Sequence, residues 1–390
     1  MTYTSLFKYF IASSMSIILL ASCTPKSTDQ QVQDTVSANQ NAKSYLEWNS
    51  SEDHPNEAFK KWKSQIEKKE ITTTDLCKTL LNIPASDLVM FEENIKDKSN
   101  EVMIKECKPQ LIEKMEAYWL EQKKKTGASN EVKSRVWSTE AMAAVNFRFP
   151  DKVKSVDLSA GFFATTGPTD PKEVILTFDD GPHGQYTESI LNSLANVNAK
   201  AIFFAMGKNV RTYPQITKKV AQLGHAIGGH SMTHLCLPAS DRCRKSNGGR
   251  RLTSSEGKID IASSMKEIFK VLGFVDPYFR FPYGESSTDL KQFLRTNQVG
   301  EFYWSNDSND WRSRGANGEE WTVSRMIESV MSQLNRSKRG VILMHDVQRK
   351  TEVALPTLLK RLYFEGYTPV LLRQSEAERL HPKIVENPTY

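Results

Sequence analysis

"VILTFDDGPHG", residues 174–184, runs from an apolar stretch into two adjacent aspartates and then a Gly-Pro turn. Val174 to Phe178 is short, β-branched and aromatic, which predicts a buried strand, and Gly181-Pro182 closes it. The same rhythm recurs downstream. AIFFA (201–205), HAIGGH (225–230), FYWSND (302–307) and VILMHD (341–346) are short apolar runs. Between them lie amphipathic stretches: Tyr186–Asn196, Thr212–Leu223, 259–273, 323–334 and 355–366. Strands of about five residues alternating with helices of ten or more predict an α/β fold, βα units around a parallel sheet or barrel.

Turn chemistry accounts for Asp-Asp-Gly-Pro in isolation, but not for what lies at the other strand ends. Asp179 and Asp180 follow VILTF, His230 and His234 follow HAIGG, Asp307 and Asp310 follow FYWSN, and His345 and Asp346 follow VILM. Each cluster leaves the carboxyl end of an apolar strand, where barrels and open α/β sheets collect their ligands. In HSMTH (230–234) a helical turn would put His230 and His234 on one face, and two neutral imidazoles plus a carboxylate make a divalent-metal set with a position open for water. A cation there would keep two neighbouring carboxylates ionised, one as ligand and one as free base, with Arg280 available to pair with the free one. His54, His225 and His381 have no such company and read as structural.

The remainder of the 390 residues divides by composition. Residues 1–22 hold Lys8 and a short apolar stretch ending in small residues, an export signal too short for a mature membrane span. Leu20-Ala21-Ser22-Cys23 resembles the lipobox of bacterial lipoproteins, which implies cleavage before Cys23 and a lipid on its thiol, hence a membrane partner and an exported, envelope-facing location. Residues 23–43 are polar and read as a tether. Residues 44–127 are Lys- and Glu-rich and predict a helical domain, with Pro109 opening a helix whose Leu111, Ile112, Met115, Tyr118 and Trp119 share a face. Residues 128–170 read as a connection with peripheral strands, and 171–385 as the α/β domain. The other four cysteines suit an oxidising compartment, and local spacing pairs Cys77 with Cys107 and Cys236 with Cys243. A net charge of +6 is too diffuse for nucleic acid, and no nucleic-acid motif is present.

Five motifs in order carry a family resemblance: Thr177-Phe178-Asp179-Asp180-Gly181-Pro182, His230-Ser231-Met232-Thr233-His234, Arg280-Phe281-Pro282-Tyr283-Gly284, Asp307-Ser308-Asn309-Asp310-Trp311 and Leu343-Met344-His345. They resemble those of polysaccharide deacetylases with a NodB homology domain, carbohydrate esterase family 4. The resemblance, which covers about Pro171 to Leu380, implies a distorted (β/α)7 barrel, to which composition adds the smaller, mainly helical N-terminal domain. It also implies a divalent metal, usually Zn2+, and hydrolysis of N-acetyl groups on a glycan polymer. It makes Asp180, His230 and His234 the metal ligands and Asp179 the general base. It implies further that the Tyr283 backbone N–H stabilises the oxyanion, that His345, supported by Asp310, protonates the leaving amine, and that Trp311 and Leu343 wall a slot for the methyl group.

The loop at 235–258 is longer and more basic than that family's usual connection, with Arg242, Arg244, Lys245, Arg250 and Arg251. An exported, lipid-tethered deacetylase is expected to act on N-acetylglucosamine in peptidoglycan. Chitin oligomers, poly-N-acetylglucosamine or O-acetylated polysaccharide are the alternative substrates.

Overall fold

The structure is a computed structural model that describes residues 54–126, 147–158, 162–238 and 241–390, all within the unit Trp48–Tyr390. The expected signal peptide, lipidated Cys23 and tether lie outside the described residues. No helix among the described residues is long and apolar enough to cross a membrane.

Among the described residues, eleven short strands organise the α/β part: β1 (Val153–Ser155), β2 (Phe163–Ala164), β3 (Glu173–Asp179), β4 (Ala201–Ala205), β5 (Ala226–Gly229), β6 (Tyr278–Phe279), β7 (Gly300–Phe302), β8 (Asn306–Asp307), β9 (Gly340–His345), β10 (Thr368–Pro369) and β11 (Leu371–Arg373). Eight run parallel in the order β2-β7-β6-β5-β4-β3-β9-β8, with β10 added against β3 and β1 paired with β11. In a flat sheet β7 and β8 would stand six strand spacings apart, about 29 Å. Only Tyr303, Trp304 and Ser305 join them, and four residue steps reach at most about 14 Å. The sheet therefore curls until its ends approach, giving the distorted barrel that the family resemblance implies. The same geometry splits the expected strand FYWSND in two, because its halves serve opposite ends of the sheet.

Burial on both faces explains why the strands read as continuous apolar runs. Ile175, Ile202, Phe204, Tyr278, Phe302 and Val341 fill the barrel, while Leu176, Phe178, Phe203, Ile342 and Met344 pack outward against helices. The helices begin where local chemistry directs. Thr253 and Glu256 form a capping box that starts the helix Ser254–Leu272, five residues before the first apolar position read from the sequence. The helix expected over Thr212–Leu223 is present as Pro214–Gln222, opened by Pro214 at its first turn, and a separate short helix, Gly207–Thr212, precedes it.

The N-terminal region is helical, with Pro55–Glu67, Thr73–Asn82 and Lys108–Thr126 its longer elements. Disulfides join Cys77 to Cys107 and Cys236 to Cys243. Leu111, Met115 and Trp119 are buried. The Tyr118 hydroxyl donates to Glu328 at 2.6 Å, and Arg361 donates to both at 3.0 and 2.7 Å. These bonds fix the region to the barrel's outer helices, Val323–Ser337 and Arg349–Phe364.

Candidate active site

Period two along β3 sets the first half of the site. Ile175, Thr177 and Asp179 turn inward, and the chain breaks at Asp180, which adopts a positive φ of 75°. Gly181 follows because nothing larger fits: a Cβ there would collide with the Asp346 carboxylate. Asp180 is thereby held facing His230 and His234, its Oδ1 lying 3.2 and 3.3 Å from their Nε2 atoms. The two histidines come from a loop after β5 rather than from the expected helical turn. Ser231 and His234 both have positive φ, 64° and 60°, and bend the chain so that two non-helical residues converge.

The three ligand atoms lie within 4.8 Å of one another, and Asp180 Oδ1 is buried without a hydrogen-bond donor. His230 Nδ1 lies 2.8 Å from the Arg280 carbonyl, so this nitrogen carries the proton and the neutral ring turns a lone pair toward Asp180. Facing acceptors of this kind require a positive charge between them. Burial opposes a charged His230 ring, but Asp179 and Asp180 more than offset burial and raise its pKa. Burial, and then the neighbouring His230 charge, push His234 down to about 4, so its ring is neutral. Burial would raise the Asp180 carboxyl, yet His230, His345 and His234 hold it below the usual range. The residues fit a divalent cation.

Asp179 has a different environment although it adjoins Asp180. Arg280, wholly buried, donates from Nη1 to Asp179 Oδ1 at 2.7 Å and to the Thr177 hydroxyl at 2.8 Å, and its guanidinium lies 4.3 Å from the Phe204 ring centroid. Asp179 Oδ2 stays 3.8 Å from His230 Nε2, near the cluster but outside the ligand set. Two adjacent carboxylates are tolerable because they face different partners, Asp179 the Arg280 guanidinium and Asp180 the two imidazoles.

Opposite stands a second pair. Asp310 Oδ1 lies 2.7 Å from His345 Nδ1, and Asp310 Oδ2 accepts the His345 backbone N–H at 2.7 Å and the Thr351 hydroxyl. Burial disfavours the charged imidazole, but Asp310 outweighs it and holds His345 up at about 10. The cross-strand register Asp179↔His345 between β3 and β9 brings this pair beside the first half.

The other expected residues take these places. Leu343 is buried on β9 beside Thr177 and Asp307. Trp311 is 56% exposed, with the Arg312 guanidinium 5.0 Å from its ring centroid. Tyr283 has a φ of 62°, stacks edge-on to His234 at 4.5 Å and donates its hydroxyl to the His234 carbonyl at 3.2 Å. In the basic loop, Arg242 pairs with Glu285, Arg244 and Arg251 with Asp241, and Arg250 with Glu256, so much of its charge is compensated internally. Two contributors carried no sequence signal. Thr351, on a helix 41 positions beyond Asp310, completes that carboxylate's bonds, and Thr187 donates to the buried Asp346 at 2.6 Å. Burial, reinforced by the Asp180 charge, raises Asp346 to about 7.

The polysaccharide deacetylase family profile matches residues 166–300. A peptidoglycan-N-acetylglucosamine deacetylase of Bacillus cereus is 34% identical over 200 residues, 50% of this chain and 67% of that protein. The peptidoglycan-N-acetylglucosamine deacetylase PgdA of Listeria monocytogenes is 28% identical over 255 residues, 65% of this chain and 48% of its own length. The chain thus spans about half of the Listeria protein. Among solved structures, the Bdellovibrio bacteriovorus peptidoglycan deacetylase Bd3279 matches with a TM-score of 0.55 and 37% identity, over 93% of this chain and 100% of that one.

Proposed function

Because the chain belongs to the polysaccharide deacetylase family, we propose that it hydrolyses the N-acetyl groups of N-acetylglucosamine in peptidoglycan, leaving free amines on the glycan. The observation that carries the reading is the pairing of an unsatisfied Asp180-His230-His234 cluster with a completed Asp310–His345 pair across one rim. Asp180, His230 and His234 would hold a divalent cation, zinc in this reading, which would supply Lewis acidity to the acetyl carbonyl and the attacking water.

The chain's own groups then divide the proton work. Asp179, oriented by Arg280, takes the proton of the attacking water as its oxygen bonds to the acetyl carbon. The Tyr283 backbone N–H steadies the developing oxyanion, and Trp311 and Leu343 bound the methyl group. As the C–N bond breaks, the amine takes a proton from His345, which Asp310 keeps charged, and acetate departs. An alkoxide leaving group would need this acid far less, so the retained pair favours amide over O-acetyl ester. A lipid on Cys23 and the 23–43 tether would keep the domain near a membrane, where wall glycan is the abundant N-acetylated polymer.

Purified cell wall treated with the protein, digested with a muramidase and weighed by mass spectrometry tests the substrate. Each deacetylation lowers a fragment's mass by one acetyl unit. Fully acetylated wall fragments, alongside deacetylated chitin oligomers or poly-N-acetylglucosamine under the same conditions, would overturn the wall assignment while keeping the chemistry.

A further inference from the structure

We propose that Tyr303 and Phe163 form an aromatic platform continuous with the catalytic rim, on which sugar rings flanking the reacting N-acetylglucosamine stack. This rests on the deacetylase reading and names how that site would hold a polymer rather than a single sugar.

A continuous series of contacts leads outward from the metal cluster. His234 meets the Tyr283 ring at 4.5 Å. At the next residue, Gly284, an added Cβ would stand 2.7 Å from the Tyr303 ring and 2.8 Å from Trp304, with φ at 68°. Tyr303 stacks on Trp304 at 4.1 Å and 13°, and Phe163 follows at 6.4 Å and 29°. Tyr303 is 36% exposed and Phe163 55%. Leaving such rings in water forgoes about 1.5–3 kcal/mol for each large side chain that burial would otherwise contribute, so an exposed pair in series needs a reason.

The platform is also held in position. Arg280, which orients Asp179, donates from Nη2 to the Tyr303 carbonyl at 2.9 Å. Lys291 places its ammonium 5.0 Å from the Phe163 ring centroid and pairs with Glu301 at 3.2 Å. Glu301 is the residue in register with Phe163 on β7. The β-linked pyranose fits this surface, since its ring faces carry C–H groups and its edges carry hydroxyls. Faces therefore stack on the aromatic rings while edges meet the polar surroundings. The platform lies outside the five motifs. Phe163 belongs to β2, and Tyr303 to the link that closes the barrel.

The test compares N-acetylglucosamine oligomers of two and six sugars, using wild type, Phe163→Ala and Tyr303→Ala. The hexamer-to-dimer ratio of kcat/KM is expected to fall roughly two- to tenfold for each lost ring, and Phe163→Trp is expected to restore it. Hexamer binding, followed by intrinsic tryptophan fluorescence, should weaken in the same variants. An unchanged ratio in both alanine variants, with hexamer binding intact, overturns the platform and leaves the deacetylase reading standing. A wild type that binds the hexamer through these rings but hydrolyses neither oligomer supports the platform and removes the deacetylase reading.

Discussion

Asp180 and Asp310 both serve the catalytic rim, and their surroundings differ in kind. Asp310 accepts from the His345 ring, the His345 backbone and the Thr351 hydroxyl. Asp180 turns a buried oxygen toward two imidazole nitrogens and receives no hydrogen bond there. A fully bonded carboxylate is preorganised to hold a proton on its neighbour, whereas an unsatisfied cluster is a place for something the chain does not itself supply. One half of the rim is finished by folding; the other has the donor set of a cation site.

The largest effects should separate the two adjacent aspartates. Asp180→Asn removes a ligand, so metal content of the purified protein should drop together with all measurable turnover. Asp179→Asn should lose about 10⁴-fold in kcat, the upper end for a general base, while metal content stays at the wild-type level. Metal analysis of both variants decides the matter. Equal metal loss in the two would mean that the ligand and the base are not divided as the geometry implies.

The gathering of these groups was legible in the chain: each polar cluster ends an apolar run, and strand ends in a parallel sheet converge on one rim, which places Asp180, His230, His234, Asp310 and His345 together. Their division into ligands and acid is what the family resemblance implies. The backbone path that brings His230 to His234 was not legible, because positive φ at Ser231 and His234 leaves no periodic trace in a non-glycine sequence. The break at Tyr303–Ser305 was hidden for another reason. Its cause is sheet closure, a property of all eight strands together rather than of FYWSND. The contact of Phe163 with Tyr303 leaves no trace in the sequence, because a single exposed ring has no pattern until its neighbour across the sheet is known.

The acid half should respond to pH and to leaving group. His345→Ala should cost about 10²–10³-fold on N-acetyl substrates and much less on activated esters, which depart without a proton. In the metal-free protein the folded His345 pKa, about 10, exceeds the ordinary value near 6.5. The pair's contribution to stability is thus fully present below about pH 6.5 and is lost as pH rises through about 10. Denaturant titrations across that window should show wild type losing this increment and Asp310→Asn lacking it. In the metal-loaded enzyme the cation opposes the imidazolium, so the alkaline limb of kcat/KM should fall below 10, and Asp310→Asn should move it further toward acid. A limb unmoved by Asp310→Asn would assign the proton to another group.

The smallest effect tests whether the two halves are independent. Thr351 is fully buried and its hydroxyl donates to Asp310 Oδ2. Valine keeps its volume and removes that bond, leaving a buried carboxylate oxygen with one donor fewer. Thr351→Val should therefore lower unfolding free energy by about 1.5–3 kcal/mol, the range for a hydrogen bond to a charged group, read from urea titration of the metal-free protein. Because Asp180, His230 and His234 make no use of Thr351, metal retention should match wild type, and the residual activity loss should appear on amides more than on activated esters. A fall in metal retention comparable to that of Asp180→Asn would show that the bonded half supports the unsatisfied one, and the rim would then have to be treated as a single coupled network.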